Sequence, residues 1–219
     1  DALEFDRLAG KVEFTWVDDA WTLRTDQLAA DAPHLRTVSH MLLTKQANGK
    51  RFLDLQTDFH DGDARYAARY YPVGVMGSKL VGWLDRSIQE GKVTRGSALF
   101  WGDVSAFPFE QNRAGAFEVL FDVSDVMLDY QPGWPRLEAL AGRVHFHGNQ
   151  LDIAVHRGRT LDSRISDVNA HIGSLKPVSS LDVTGHLKGP LNDILQTLRS
   201  EALRERFGGF AKAVQATGE

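Results

Sequence analysis

The segment GKVEFTWV, residues 10–17, alternates polar and apolar residues with a period of two. Successive side chains of a β-strand project to opposite faces, so Val12, Phe14 and Trp16 share one face and the residues between them share the other. An Asp-Asp turn follows, and the chain then returns as the second arm of a hairpin. The pattern predicts an antiparallel sheet with one apolar face.

The same alternation recurs along most of the chain. It predicts strands over residues 36–45, 51–60, 93–101, 116–123, 126–130, 140–147, 151–156, 160–172 and 178–187. We take the apolar positions of the clearest strands as candidates to line a lipid groove: Val12, Phe14, Trp16, Phe117, Val119, Phe121, Val144, Phe146, Leu151 and Ile153.

Two stretches follow a helical period instead. Ser78 is a favourable cap for a helix whose apolar stripe ends near Ile88, and Gly91 is expected to end it. A shorter helical piece is expected over residues 63–70. Pro190 opens a C-terminal helical segment, which the glycine pair at 208–209 interrupts.

These elements define a mostly β fold with accessory helices, a long twisted antiparallel sheet curled into a groove. The expected organisation is a β-hairpin segment (1–62), a helical insert (63–92), an antiparallel β segment (93–189) and a C-terminal helical segment (190–219). The chain begins with Asp rather than Met. We therefore expect one continuous module of a longer protein.

An internal similarity links the two β segments. LAGKVEF at residues 8–14 matches LAGRVHF at 140–146 with five identities, and each is followed by a turn and a second arm. Both a duplication and two hairpins built by the same rules explain this similarity.

Composition argues against several classes of protein. Absence of cysteine excludes disulfides and thiol nucleophiles. The 25 basic and 29 acidic residues are mixed along the chain, so no basic stripe favours nucleic acid. No apolar run approaches the roughly 20 residues of a membrane-spanning helix.

No motif indicates catalysis, and we expect no catalytic residue, no metal and no cofactor. His145 and His147 project from the same face of a strand and offer two metal ligands, but their surroundings favour a solvated outer face. Aspartates at 58, 61 and 63 resemble the start of a calcium loop without its bidentate glutamate. The chain has no Gly-x-Ser-x-Gly elbow.

An ordered series of motifs resembles the YhdP branch of the AsmA-like family. The series comprises YPVGVM at 71–76, KLVGWLDR at 79–86, GSALFWG at 96–102, FPF at 107–109 and YQPGWPRL at 130–137. The resemblance covers roughly residues 70–200, and the flanking hairpin segment agrees with it.

The resemblance implies a function. Members of this family are periplasmic proteins anchored in the inner membrane, and they conduct phospholipid toward the outer membrane through an apolar β-groove. The expected partners are phospholipid and, through parts of the protein outside this chain, the bacterial envelope membranes. The expected location is the periplasm.

Other functions are compatible with the residues alone. A self-contained β-sandwich binding module would bury its apolar faces against each other and use Trp16 or Trp134 as ligand platforms. A hydrolase would gather His145, His147 and Asp152 in a cleft. A structural spacer would bear load without lipid cargo.

Overall fold

The computed structural model describes residues 4–70, 78–107, 109, 115–175, 177 and 179–199. Eleven strands form one antiparallel sheet. They are β1 (Arg7–Gly10), β2 (Glu13–Val17), β3 (Ala20–Ala32), β4 (Leu35–Lys45), β5 (Arg51–Asp63), β6 (Ile88–Asp103), β7 (Gly115–Leu128), β8 (Leu137–His147), β9 (Gln150–Thr160), β10 (Ser163–Ile172) and β11 (Leu181–Lys188). Short 3₁₀ helices span Ala64–Tyr70 and Val104–Ala106, and α-helices span α1 (Ser78–Ser87) and α2 (Leu191–Arg199). The predicted fold class, mostly β with one helix mid-chain and one near the C-terminus, is confirmed.

The strands follow one another across the sheet in chain order. β1 and β2 both pair with β3, and from β3 to β11 every strand pairs with the next. The first and last strands do not pair with each other, so the sheet is not closed into a barrel. Within the described residues all strands belong to this one sheet, so no second sheet forms the sandwich that one alternative reading required.

Two predicted strand boundaries are wrong. Residues 160–172 are divided by a turn, in which Leu161 has a φ of 53°. Residues 116–123 and 126–128 belong to one strand, β7, which passes through an irregularity between Val123 and Val126 and ends before residues 129–130. Ser124 and Asp125 interrupt the apolar alternation inside β7, whereas Leu161 continues it into a turn, and periodicity alone therefore located both breaks incorrectly.

The predicted end of the mid-chain helix at Gly91 is also wrong. Helix α1 ends at Ser87, and Ile88 already pairs with Leu128 as the first residue of β6. Gly91 lies inside that strand with a φ of 147°, and a Cβ there would be 2.7 Å from Val126 Cγ2. The glycine therefore permits a close strand contact rather than a helix end. The C-terminal segment beyond residue 199, with its glycine pair, lies outside the described residues.

A row of backbone irregularities crosses the sheet. In each of seven strands, one pair of successive residues on the same face lies three positions apart in the sequence, where a regular strand would have two. These pairs are Thr25–Leu28, Phe59–Gly62, Val93–Gly96, Val123–Val126, Leu137–Leu140, Val155–Gly158 and Ile165–Val168. We call this the bulge row. Asp61, Asp125 and Asp167 lie in it with φ between 51° and 55°, a conformation that aspartate tolerates better than most residues.

The bulge row keeps the two faces of the sheet distinct. Bulges bend a strand and increase its right-handed twist. Each extra residue also shifts the alternation, and without that shift the apolar residues beyond the bend would turn to the other face. At each irregularity the sequence spaces its residues by three positions instead of two, so the residues on either side stay on the same face of the sheet.

The sheet has very little closed core. The apolar side chains buried among the described residues are Ala30, Leu140, Leu151 and Leu195. No helix in the described part of the chain is long and apolar enough to cross a membrane.

Candidate functional site: the apolar face of the sheet

One face of the sheet is predominantly apolar on every strand from β2 to β11, with Thr25, Thr37, Ser39 and Thr57 as polar members on β3–β5. Directly paired residues share a face, so the registers place Phe14, Leu23, Leu43 and Leu53 in one row on this side. We call it the apolar face. Further members include Met41, Leu55, Phe59, Ala98, Phe100, Val123, Val155, Val168, Ala170, Ile172, Leu181 and Val183. The opposite side, the polar face, carries mostly charged and polar residues.

The structure places nine of the ten groove candidates on the apolar face. Those on β7, β8 and β9 meet in register, as Val119 pairs with Phe146 and Phe121 with Val144. Leu151 and Ile153 continue the same rows on β9. Val12 precedes β2 and is 50% exposed, and no register pair fixes its face. Whether these residues contact lipid stays a prediction.

Aromatic rings form the centre of the apolar face. Phe121 lies 6.3 Å from Phe59 and 6.4 Å from Phe146, ring centre to ring centre. Gly96 of β6 lies between the first two, and a Cβ there would be 2.4 Å from the Phe59 ring and 2.6 Å from Phe121 Cβ. Glycine at this position therefore allows rings of β5 and β7 to meet across the strand between them.

The ends of the strands are partly covered. At one end, Phe107 packs on Phe100 and Phe117 and Phe109 packs on Phe100, with ring centres 5.1–5.7 Å apart. At the other end, the first 3₁₀ helix and α1 contact each other and β6. Every substantial contact between described strands joins neighbours in the sheet. The middle of the apolar face therefore has no second layer among the described residues.

Exposure rises toward both edges of the sheet. Phe14 and Trp16 on β2 are 57% and 68% exposed, and Leu181 and Val183 on β11 are 58% and 57% exposed. The indole of Trp16 donates a hydrogen bond to the Asp18 carbonyl. Trp134 instead packs edge-to-face on Tyr130 at 5.4 Å. Large apolar side chains at open edges are costly in water unless something covers them.

The polar face is held together by ion pairs across strands. Asp122 of β7 accepts hydrogen bonds from Arg95 Nε at 2.9 Å and Arg143 Nε at 2.8 Å. Those bonds, Arg143 first, lower the pKa of Asp122 from 3.8 to about 2. The triad joins β6, β7 and β8 on the side opposite Phe121.

A second polar cluster lies beside the triad. His145 and His147 of β8 face Asp152 of β9, which pairs in register with both His145 and His171 of β10. Glu118 of β7 completes this group, which we call the His–Asp cluster. His147 Nε2 is 2.7 Å from Asp152 Oδ2, and His145 Nε2 is 2.6 Å from Glu118 Oε1. Hydrogen bonds with His147, then His171, lower the pKa of Asp152.

The His–Asp cluster borders a depression of about 440 Å³ that also contacts Arg143, Asn169 and Thr184. The cluster, rather than the depression, brings together the three residues that the hydrolase alternative named, His145, His147 and Asp152. The depression is open, and no cysteine exists to act as nucleophile. The arrangement offers imidazole and carboxylate ligands, and nothing in it selects a substrate.

The internal similarity has a structural counterpart. A Cβ on Gly10 would be 2.4 Å from the Gln27 carbonyl oxygen, and a Cβ on Gly142 would be 2.3 Å from the Ala154 carbonyl oxygen. In both repeats the glycine of the Leu-Ala-Gly motif thus lies against the backbone of a following strand, next to the bulge row. Each motif needs glycine for the same reason.

Taken together, the fold and its apolar face define, within the described residues, a protein that offers an extended hydrophobic surface instead of a closed pocket. The family described as YhdP protein matches residues 1–219, and the chain belongs to that family. No solved structure matches the chain.

A curated relative agrees with this family. The chain is 25% identical over 214 residues to a protein of Escherichia coli (strain K12) named "Intermembrane phospholipid transporter YhdP". The match covers 96% of this chain and 17% of that protein. The chain thus spans about a sixth of the relative's length, and the relative is a transporter by name, not an enzyme.

Proposed function

We propose that this chain is a section of a periplasmic lipid-transport protein and that its apolar face shields phospholipid acyl chains between the inner and outer membranes. The observation that supports this proposal most strongly is the predominantly apolar face, over whose middle the described residues place no second layer. A lipid tail offers no hydrogen-bonding group, and a surface of mostly apolar side chains suits it. Membership of the YhdP family supports this reading.

The dimensions suit a lipid tail. Ten strands lie side by side in the sheet, and at about 4.8 Å per step they span about 43 Å. Half the hydrocarbon core of a bilayer, the depth of one acyl chain, is about 15 Å. The apolar face is therefore longer than a single tail in the direction in which the sheet grows.

The mechanism that follows is passive binding. Acyl chains lie across the aromatic and aliphatic side chains while headgroups stay near solvent at the strand ends. Each buried methylene gains about 0.8 kcal/mol, spread along the path, so no single position traps the lipid. We infer that the chain binds phospholipid without altering it.

The proposal also includes the place of this chain in a longer, membrane-anchored protein. The exposed edge strands β2 and β11 present unpaired backbone groups, to which strands of a longer sheet can add. The chain would then be one stretch of a longer trough within a protein anchored in the inner membrane. A spacer without lipid cargo is the competing outcome of the test.

A charged side chain on the apolar face tests the proposal. In the full-length protein, Phe121→Asp should reduce co-purified phospholipid and lipid transfer by at least about tenfold, because a carboxylate beside hydrocarbon costs several kcal/mol to desolvate. Leu120→Asp is the matched control, since Leu120 is the next residue of β7 and pairs with His145 on the polar face. It should leave both quantities unchanged.

Folding must be separated from lipid loss. Phe121 contacts two rings, so circular dichroism should confirm that the variant keeps its β content. Val119→Asp, a smaller change in the same face, should give the same loss. Equal phospholipid in the apolar-face and control variants would contradict the proposal and favour a spacer.

A further inference from the structure

The His–Asp cluster on the polar face has the composition and geometry of a transition-metal site. His145 and His147 stand two residues apart on β8, which points both rings to one side. Asp152 pairs with His145 across the β8–β9 hairpin, whose turn contains only residues 148–149. The backbone therefore fixes all three side chains at neighbouring positions.

The ligand atoms are nearly close enough for one ion. A ring nitrogen of each histidine and a carboxylate oxygen of Asp152 all lie within 4.8 Å of one another. In a tetrahedral zinc site with bonds of 2.0–2.1 Å, ligand atoms are about 3.3 Å apart. Side-chain rotation closes that difference without moving the strands.

We propose that His145, His147 and Asp152 bind a zinc-type divalent ion, with a fourth position open to solvent. Two imidazoles and one carboxylate suit zinc and exclude a preference for magnesium or calcium, which take oxygen ligands. The ion would replace the hydrogen bond between His147 and Asp152. It would tie β8 to β9 on the polar face, away from the lipid path.

The neighbouring residues form a supporting shell. His171 Nδ1 is 2.7 Å from Asp152 Oδ1, the carboxylate oxygen that His147 does not use. Glu118 is hydrogen-bonded to Nε2 of His145, which leaves Nδ1 of that ring for the ion. Carboxylates that orient metal-binding imidazoles in this way are a recurrent feature of zinc sites. This site is independent of the proposed lipid function.

Zinc titration of the full chain tests the site. In buffer freed of metal, isothermal titration calorimetry with zinc chloride should show one tight site, and magnesium chloride should show none. His147→Asn should weaken zinc binding by more than about tenfold, and Glu118→Gln by about tenfold, the loss typical of a supporting residue. Asparagine keeps a hydrogen-bonding side chain beside Asp152, which favours folding.

A control distinguishes this site from adventitious binding to the eight histidines. His40 lies on the polar face of β4, outside the cluster, and His40→Asn should bind zinc like the unmodified chain. In NMR spectra, zinc should shift the imidazole signals of His145 and His147 before those of His40. Equal zinc affinity in His147→Asn and His40→Asn, or no tight site in the unmodified chain, would overturn the proposal.

Discussion

Removing the Asp122 carboxylate should destabilise the sheet by about 1 kcal/mol at neutral pH. Asp122 accepts hydrogen bonds from two guanidinium groups and its side chain is 24% exposed. A pKa lowered from 3.8 to about 2 corresponds to at most about 2.4 kcal/mol. Because the Arg95 and Arg143 side chains are 76% and 49% exposed, solvent screening reduces this to about 1 kcal/mol.

The pH dependence of this contribution has a definite sign. The folded-state pKa is depressed, so the contribution is fully present above the unfolded value of 3.8 and is lost as pH falls through about 2. The stability difference between the unmodified chain and Asp122→Asn should therefore be constant from pH 7 to about 5 and shrink below about 4. High salt should also reduce it.

Thermal and urea denaturation both measure this stability difference. Asp122→Asn should lower the melting temperature by about 2–4 °C and lower the urea midpoint. Asp58→Asn is the control, because Asp58 lies exposed on the same polar face and takes part in no ion pair within the described residues. Equal midpoints for the two variants at low salt would refute the assigned role of the triad.

Two further predictions concern local packing. Gly142→Ala should destabilise the chain by about 1–3 kcal/mol, because its Cβ would meet backbone atoms, the Ala154 oxygen at 2.3 Å and Val155 Cα at 2.8 Å. Gly82→Ala, in open space on α1, should instead stabilise it by about 0.5–1 kcal/mol, and thermal melting that ranks them the other way would contradict the described strand contact. Asp193→Ala should cost about 1–3 kcal/mol, since its buried carboxylate accepts hydrogen bonds from the Asp162 amide at 3.0 Å and the Ser163 hydroxyl at 2.7 Å. Asn192→Ala on the exposed side of α2 is the control. Equal urea midpoints for the two variants would contradict a stabilising role for the hydrogen bonds of Asp193.

Alternation alone predicted the faces of individual strands correctly. Phe117, Val119 and Phe121 lie on one side and His145 on the other, as a period of two requires. The resemblance to the YhdP branch supplied the family, and the family match confirms it. Local pattern determines which way a side chain points, because pleat geometry depends only on neighbouring residues.

Features that depend on pairing between strands were not predictable. The bulge row appears in the sequence only as a spacing of three, such as Val123 to Val126, which resembles the end of one strand and the start of another. Ile88 fits the helical stripe of α1 as well as it fits its pairing with Leu128. The His–Asp cluster needs the register of β8 with β9 and β10, and no local pattern contains that information.

Site-specific photocrosslinking along β7 tests the central claim most directly. A photoreactive residue at position 117, 119 or 121 of the full-length protein should capture phospholipid in cells, because these positions lie on the apolar face. The same residue at position 118 or 120 should capture little, because these positions lie on the polar face. Crosslinking with a period of two is the predicted result. Uniform capture at all five positions, or capture at none, would contradict a lipid path along the apolar face.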